Sequence, residues 1–372
     1  MDATAVLKSL LSPDGRRDPY PRYADLHRLG PVSAVAPATG YDVVVCGYDA
    51  AVRVLRDTTF RMLDAEYLDR GGTRWREHPA LKTLQDSIFF TNGPDHTRVR
   101  RLFSQAFTAR RMAALEPAIV RLTGRLLDRL ATLDAPVDFM AEFALPLPSD
   151  VIGELLGVPE DDRAWFPPRV RTFGAILEIG RRSFREITAA DTAAVELTDY
   201  FTGLLAQRRA EPREDLVSAL VQSQSGEVSD TELLANLITL FNAGFVTTTH
   251  LLGNGLALLL ENPTARAALR EAPGPVVEEM LRYEPPVHFG VRYAASDTDI
   301  LGVPVAKGST VLVLMGAANR DPARFANPDV FDPTRPDNQH LAFSAGPHYC
   351  LGAALSRLEG QLALPRLLER FP

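Results

Sequence analysis

The chain has 372 residues, 46% hydrophobic and 23% charged, with a formal net charge of −7. That balance belongs to a globular protein with a large core and excludes a disordered, fibrous or collagen-like chain. The acidic excess argues against a nucleic-acid binder, whose footprint would be basic. Two cysteines, Cys46 and Cys350, make no disulfide framework and fit a reducing cytoplasm. The N-terminal stretch lacks a basic segment followed by a sustained apolar one, so neither signal peptide nor membrane anchor is expected.

In chain order, the pattern opens as a short helix followed by β-rich runs at Val32 to Val35 and Tyr41 to Cys46 around a Pro/Gly turn. Helical spacing resumes over Tyr48 to Arg56. Residues 58–93 mix charge, Gly-Gly and aromatics with weak periodicity, which reads as a long irregular connection. Loops of that length are usually functional. From Asp95 to about Tyr283 the pattern is almost wholly helical. Breaks fall at Ala135-Pro136, Gly157-Val158-Pro159, Pro167-Pro168, Glu211-Pro212, Ser225-Gly226 and Asn262-Pro263. Strand signals return at Val291 to Ala295, Ile300 to Val305 and Thr310 to Leu314. A Pro-rich stretch follows, then a last helix over Gly352 to Arg370. With no repeat, low-complexity linker or composition break, residues 1–372 read as one mainly α domain with a minor β-sheet.

From Leu233 to Leu260 no side chain is formally charged, a run longer than the roughly 20 residues that span a bilayer. Its asparagines, threonines and His250, and the capping box of Ser229 and Glu232 that opens it, mark it as a buried core helix. At about 33 residues it would reach roughly 50 Å, across the whole domain. Its middle, Ala243-Gly244-Phe245-Val246-Thr247-Thr248-Thr249, is poor helix material, since threonine can bond the preceding turn and open it.

The segment Phe343-Ser344-Ala345-Gly346-Pro347-His348-Tyr349-Cys350-Leu351-Gly352 runs straight into the last helix. A cysteine at a helix N-terminus meets unsatisfied N–H groups and a positive dipole end, both of which favour a thiolate, so Cys350 is a candidate soft metal ligand. Gly346 and Gly352 remove side chains where something flat must approach, and Phe343 can shield the sulfur. Glu279 and Arg282, three apart, share a helix face. Alone, such a pair is ordinarily a solvated surface ion pair worth under about 1 kcal/mol.

With Phe343, Gly346, His348, Cys350 and Gly352 at these spacings, the Cys segment resembles the haem-ligand loop of the cytochrome P-450 family. The resemblance covers nearly the whole chain and implies that family's fold, with the long helix crossing the haem. It makes Glu279, Arg282 and Arg335 a buried structural set that fixes the segment before the Cys loop. It matches the long helix to the family's A-G-x-(acid)-T-T segment and gives catalytic roles to Thr247 and Thr248. The acid expected before that threonine is absent, and Val246 stands in its place. His96, Arg100, Arg292 and His348 fall on haem-propionate partners, for which charge-assisted hydrogen bonds suit. Cys350 becomes the axial iron ligand, with Phe343 and Gly352 beside the cofactor.

Resemblance also implies the chemistry: a cytoplasmic haem-thiolate monooxygenase with haem b, inserting one oxygen atom of O2 into a small organic substrate, free or carrier-bound. Electrons would come from NAD(P)H through a ferredoxin reductase and a ferredoxin, with no nucleic-acid or membrane partner. The substrate wall would draw on Ala243, Thr247, Val287, Phe289 and residues 60–90, where Met62, Trp75, Ile88 and Phe89 are apolar candidates. Relatives of this type often tailor secondary metabolites such as antibiotics. Phenolic coupling, peroxide-driven or nitrogen-oxide chemistry would tolerate the loss of the acid at 246, and a non-catalytic recruitment module is the reading from another class. The complete haem-site set weighs against the last. Relatives also continue past the final helix into a β-hairpin, whereas this sequence stops at Phe371-Pro372, so either the chain is truncated or the pocket is open on that side. Between His96 and Leu115 lie five arginines (Arg98, Arg100, Arg101, Arg110, Arg111) and no acid, a basic face on which the family docks acidic ferredoxin.

Overall fold

Alternating valines build the centre of the first of two units. The computed structural model describes the whole chain except residues 135, 179–181 and 224–225 and the side chain of Ala109. The chain divides into Met1–Gly71 with Glu278–Cys350, and Gly72–Val277 with Leu351–Pro372.

The first unit holds β1 (Val32–Ala34), β2 (Val43–Val45), β3 (Phe60–Arg61), β4 (Gly290–Ala294), β5 (Thr298–Ile300), β6 (Val303–Val305) and β7 (Thr310–Val313). Five of them form one sheet in the order β1-β2-β7-β4-β3, and β5 and β6 make a separate hairpin. β2 and β7 are parallel, with Val43 opposite Val311 and Val45 opposite Val313. Because side chains alternate along a strand, Val43, Val45, Val311 and Val313 face one core with Ala50, Ala51, Val54 and Leu55 of the Tyr48–Arg56 helix. Val44, Leu312 and Leu314 face the other, with Val6, Leu7 and Leu10 of the Ala3–Leu11 helix and Tyr23 and Leu26 of the Tyr20–Leu29 helix. The run expected as one strand over 300–305 is a hairpin instead. Leu301 (φ 51°) and Gly302 (φ 84°) turn the chain in the left-handed region.

The second unit is helical and built around Asp230–Glu261, one continuous helix of 32 residues. Its capping box is present, with Ser229 Oγ accepting from the Glu232 N–H and the Glu232 carboxylate accepting from the Ser229 N–H. It is long and apolar enough to cross a membrane, yet it packs on the Pro146–Leu156, Phe166–Gly174, Phe184–Ala210 and Ala353–Arg370 helices. Phe166 and Phe241 stack across one of those contacts at 4.4 Å. Pro167 and Pro168 fall in the first turn of the Phe166–Gly174 helix, where a missing N–H costs nothing, so they start a helix and do not interrupt one. The breaks expected at 135 and 225 fall on residues outside those described.

The connection expected over 58–93 is more ordered than its sequence. It carries β3, the helices Ala65–Arg70 and Pro79–Gln85 and a 3-10 turn at Trp75–Glu77. Within the first unit, the Asp64 carboxylate caps Ala65–Arg70 by accepting from the Tyr67 N–H. Within the second, Pro79–Gln85 is capped from a distance. Asp191, on the Phe184–Ala210 helix, accepts from the Ala80 N–H at 3.0 Å and pairs with His78 Nδ1 at 2.8 Å. A cap supplied 111 residues away leaves no local signal.

Candidate functional site

In the first unit the Cys segment is a tight loop. The Cys350 N–H donates to the Phe343 carbonyl at 2.9 Å, closing Ser344 to Tyr349 into a turn around a 3-10 element at Gly346–His348. Ser344 is left-handed at φ 61°, a strain of order 1–3 kcal/mol that surrounding structure must hold. Phe343 is buried beneath the loop, His348 is half-buried, and Cys350 is exposed. The reason for Gly346 differs from the one the sequence suggests. With φ at 70°, a Cβ there would lie 2.4 Å from the Leu55 carbonyl oxygen, so this glycine seats the loop on the end of the Tyr48–Arg56 helix. Gly352 is the residue with open space around a would-be Cβ, and it caps the Ala353–Arg370 helix.

The Glu279 and Arg282 pair is fully buried and bidentate, Nε to Oε2 at 2.8 Å and Nη2 to Oε1 at 2.7 Å. Arg282 Nη1 also donates to the Asn319 and Pro328 carbonyls, both at 2.9 Å. Glu279 accepts in addition from the Asp332 N–H at 2.8 Å and Asn338 Nδ2 at 3.1 Å. Arg335 Nε lies 3.5 Å from Glu279 Oε2 while its Nη1 donates to the Ala326 carbonyl at 2.6 Å. The triad therefore ties the Pro-rich segment to the helix that carries Glu279. Asn319, which no sequence pattern singled out, extends the network, its Oδ1 accepting from the Leu341 N–H at 2.6 Å.

Arg292, on β4, is 5% exposed. Its one described hydrogen bond is to the neighbouring Val291 carbonyl at 2.9 Å, and among the described residues no carboxylate pairs with it. Burial alone lowers its guanidinium to about 10. A desolvated cation of this kind calls for an anion. Just before β4, Val287 is 37% exposed, whereas Phe289 packs against the core beneath the sheet.

In the second unit, His96 and Arg100 occupy one face of the Gly93–Ala106 helix, four apart. Burial, and then the Arg100 charge, push His96 down to about 4. Through Ala243 to Thr249 the long helix is unbroken where its composition suggested an opened turn. Thr247 Oγ1 donates to the Ala243 carbonyl at 2.7 Å and Thr249 Oγ1 to that of Phe245 at 2.8 Å. The hydroxyls thus bond the preceding turn without displacing its ladder. Ala243, Val246 and Thr247 form a half-buried strip, while Thr248 is buried. Trp75 and Ile88 are buried, the Ile88 N–H donating to Asn236 Oδ1 at 2.9 Å, so both are core. Met62 and Phe89 stay partly exposed. The final helix also carries a buried acid, Glu359, which belongs to no sequence motif.

Taken by itself, the first unit holds an exposed thiol just before a helix and a buried arginine with no carboxylate partner among the described residues. The second, taken by itself, holds a buried histidine and a half-buried arginine four apart on one helix. The family model described as Cytochrome P450 matches residues 7–156, 179–272 and 275–372. The chain is 35% identical to the biotin biosynthesis cytochrome P450 of Bacillus subtilis, over 99% of this chain and 92% of that protein. It is 39% identical to the 6-deoxyerythronolide B hydroxylase of Saccharopolyspora erythraea, over 95% and 89%. The solved structure of P450BioI in complex with hexadec-9Z-enoic acid ligated acyl carrier protein superposes with a TM-score of 0.89 at 35% identity, covering 98% of this chain and 93% of that one. The chain belongs to the cytochrome P450 family, and with it to the haem-carrying oxidoreductases.

Proposed function

We propose that this protein is a cytoplasmic monooxygenase that works as one catalytic domain on a small organic substrate, free or carrier-bound, in a secondary-metabolite tailoring step. The observation that carries the reading is the Cys350 loop, closed by its hydrogen bond to Phe343 and leading into a helix N-terminus. When bound, haem b activates dioxygen so that one atom enters the substrate and the other leaves as water. Cys350 would supply the thiolate that holds the iron, favoured by the helix N-terminus that follows it, with Phe343 excluding water and Gly352 leaving room beside it. His96, Arg100, Arg292 and His348 would hold the propionates. The buried cation of Arg292 supports this directly. Glu279, Arg282 and Arg335 fix the segment that presents the thiolate. Ala243 and Val287 orient substrate, and the Thr247 and Thr248 hydroxyls hold and pass protons.

Electrons come from NAD(P)H through a ferredoxin reductase and a ferredoxin. Carrier-bound substrate is supported by the acyl carrier protein seated on the P450BioI structure, and tailoring by relatives such as 6-deoxyerythronolide B hydroxylase. The test is the absorption of the reduced, carbon monoxide-treated protein. Thiolate ligation gives the red-shifted band for which the family is named, and Cys350→Ser should abolish it. A haem-loaded protein without the band, or a Cys350→Ser variant that keeps it, would overturn the assignment.

A further inference from the structure

Residues 284–289 join the helix that ends at Tyr283 to β4, and they include Val287. Residues 284 and 288 of this short connection are held by one polar cluster within the first unit. The Tyr20 hydroxyl donates to the Glu284 carboxylate. Glu284 lies 3.4 Å from His288 Nε2, and His288 Nδ1 lies 3.0 Å from the Tyr23 hydroxyl. The His288 carbonyl accepts from the Gly316 N–H at 2.9 Å. Gly316 is closely fitted, since a Cβ there would come within 2.6 Å of His288 Nδ1. Arg320 covers the cluster, its guanidinium carbon 3.6 Å from the Tyr20 ring centre and 3.7 Å from that of Tyr283.

The chemistry of the cluster is closed. The Glu284 carboxylate can only accept, so Nε2 donates to it, and in the neutral ring Nδ1 then accepts from the Tyr23 hydroxyl. Burial opposes ionisation of Glu284, but His288, Tyr20 and Arg320 outweigh it and hold the carboxyl below its ordinary range. Burial, followed by the Glu284 charge, raises both tyrosines, so they remain donors. Each partner of the imidazole comes from a different element, Tyr23 from the Tyr20–Leu29 helix, Gly316 from the Met315–Ala318 turn, Glu284 from the connection itself. Within the connection Val287 is the exposed side chain.

We propose that Tyr23 and His288 are positioning residues. By fixing both ends of residues 284–288 they set where Val287 stands, and so which bulky ligands the enzyme accepts. The inference rests on the reading of Val287 as substrate wall. The experiment uses the haem-loaded protein and two nitrogen ligands, imidazole and 4-phenylimidazole, titrated by the shift of the Soret band. Imidazole is the small probe, and 4-phenylimidazole carries the bulk that a displaced wall residue would affect. His288→Phe removes both contacts of the ring and is expected to change the 4-phenylimidazole Kd by about tenfold with the imidazole Kd unchanged. His288→Gln, whose amide can accept from Tyr23 and donate to Glu284, should return to within about twofold of wild type. Should His288→Phe not fold, Tyr23→Phe removes only the hydroxyl and is read in the same way. Equal Kd values for both ligands across the variants overturn the positioning role, as would a His288→Gln protein no better than His288→Phe. A wild-type protein whose band does not move with imidazole would instead overturn the haem-enzyme reading beneath it.

Discussion

Arg101 of the Gly93–Ala106 helix forms an ion pair with Glu227, a residue that lies 126 positions further along the chain. The basic run from Arg98 to Arg111 has no acid of its own, yet its first members are matched from the start of the long helix. Arg98 is held by the Glu232 carboxylate and by the Glu227 carbonyl. Arg111 donates to the Ala106 carbonyl at 2.9 Å and keeps its charge uncompensated by any described carboxylate. With an acidic ferredoxin as donor, replacing Arg101 and Arg111 together by alanine should slow reduction at low ionic strength. The deficit should vanish near 1 M salt, where the screening length is about 3 Å. Glu227→Gln should act with the opposite sign, because it releases Arg101 from its pair. Stopped-flow reduction rates across a salt series decide this, and three superimposable curves would remove this face as the docking site.

Breaking the buried triad should be costly. Glu279→Gln leaves Arg282 charged, wholly buried and lacking its carboxylate, a loss of about 3–5 kcal/mol measurable as a fall in the urea midpoint. Arg335→Ala should cost less, because its contact with Glu279 is a 3.5 Å charge contact and its hydrogen bonds go to backbone carbonyls.

Glu359 is 2% exposed, and its Oε2 has no hydrogen-bond partner among the described residues. Burial raises its carboxyl well above the ordinary 4.5. The folded protein thus holds a proton that the unfolded chain has already released, and stability declines as pH rises from 4.5 toward the raised value. Glu359→Gln should remove that slope, matching wild type in acid and exceeding it at neutral and alkaline pH. Denaturation midpoints between pH 5 and 9 would show parallel curves if Glu359 were charged in the fold.

Valine at 246 can neither donate nor relay a proton, and a missing positioned donor costs about 10²–10⁴-fold in a proton-transfer step. His250, one turn on, is held below its ordinary range by burial and by Arg171. We expect Val246→Glu to raise the product formed per NAD(P)H oxidised, and Thr247→Ala to raise released peroxide. Unchanged coupling in both variants would take proton delivery away from this turn.

The parts legible in the sequence are those whose cause is local. Ser229 and Glu232 announce the start of the long helix because a capping box is closed within four residues, and Val43 to Val45 announce a buried strand by composition. The spacing of Phe343, Gly346, His348 and Cys350 locates the loop. What sequence leaves dark depends on distant partners. Asp191 caps a helix that starts at Pro79, Glu227 and Glu232 neutralise arginines on another element, and Leu55 dictates the glycine at 346. The clamp of Tyr20, Tyr23, Glu284 and His288 is likewise invisible until the fold brings residues some 265 positions apart into hydrogen-bond range.

The two thiols of the chain live in opposite surroundings. Cys46 is 2% exposed, donates to the Gly30 carbonyl at 3.2 Å, and burial, with Asp321 nearby, pushes it up to about 12. Cys350 is exposed at the start of a helix. Since a thiolate and not a thiol attacks an alkylating agent, iodoacetamide will find one sulfur of the native chain and ignore the other. With Cys350 as the proposed iron ligand, mass added per molecule then becomes a titre of cofactor loading: one label on every chain whose Cys350 is uncovered, none where the cofactor covers it.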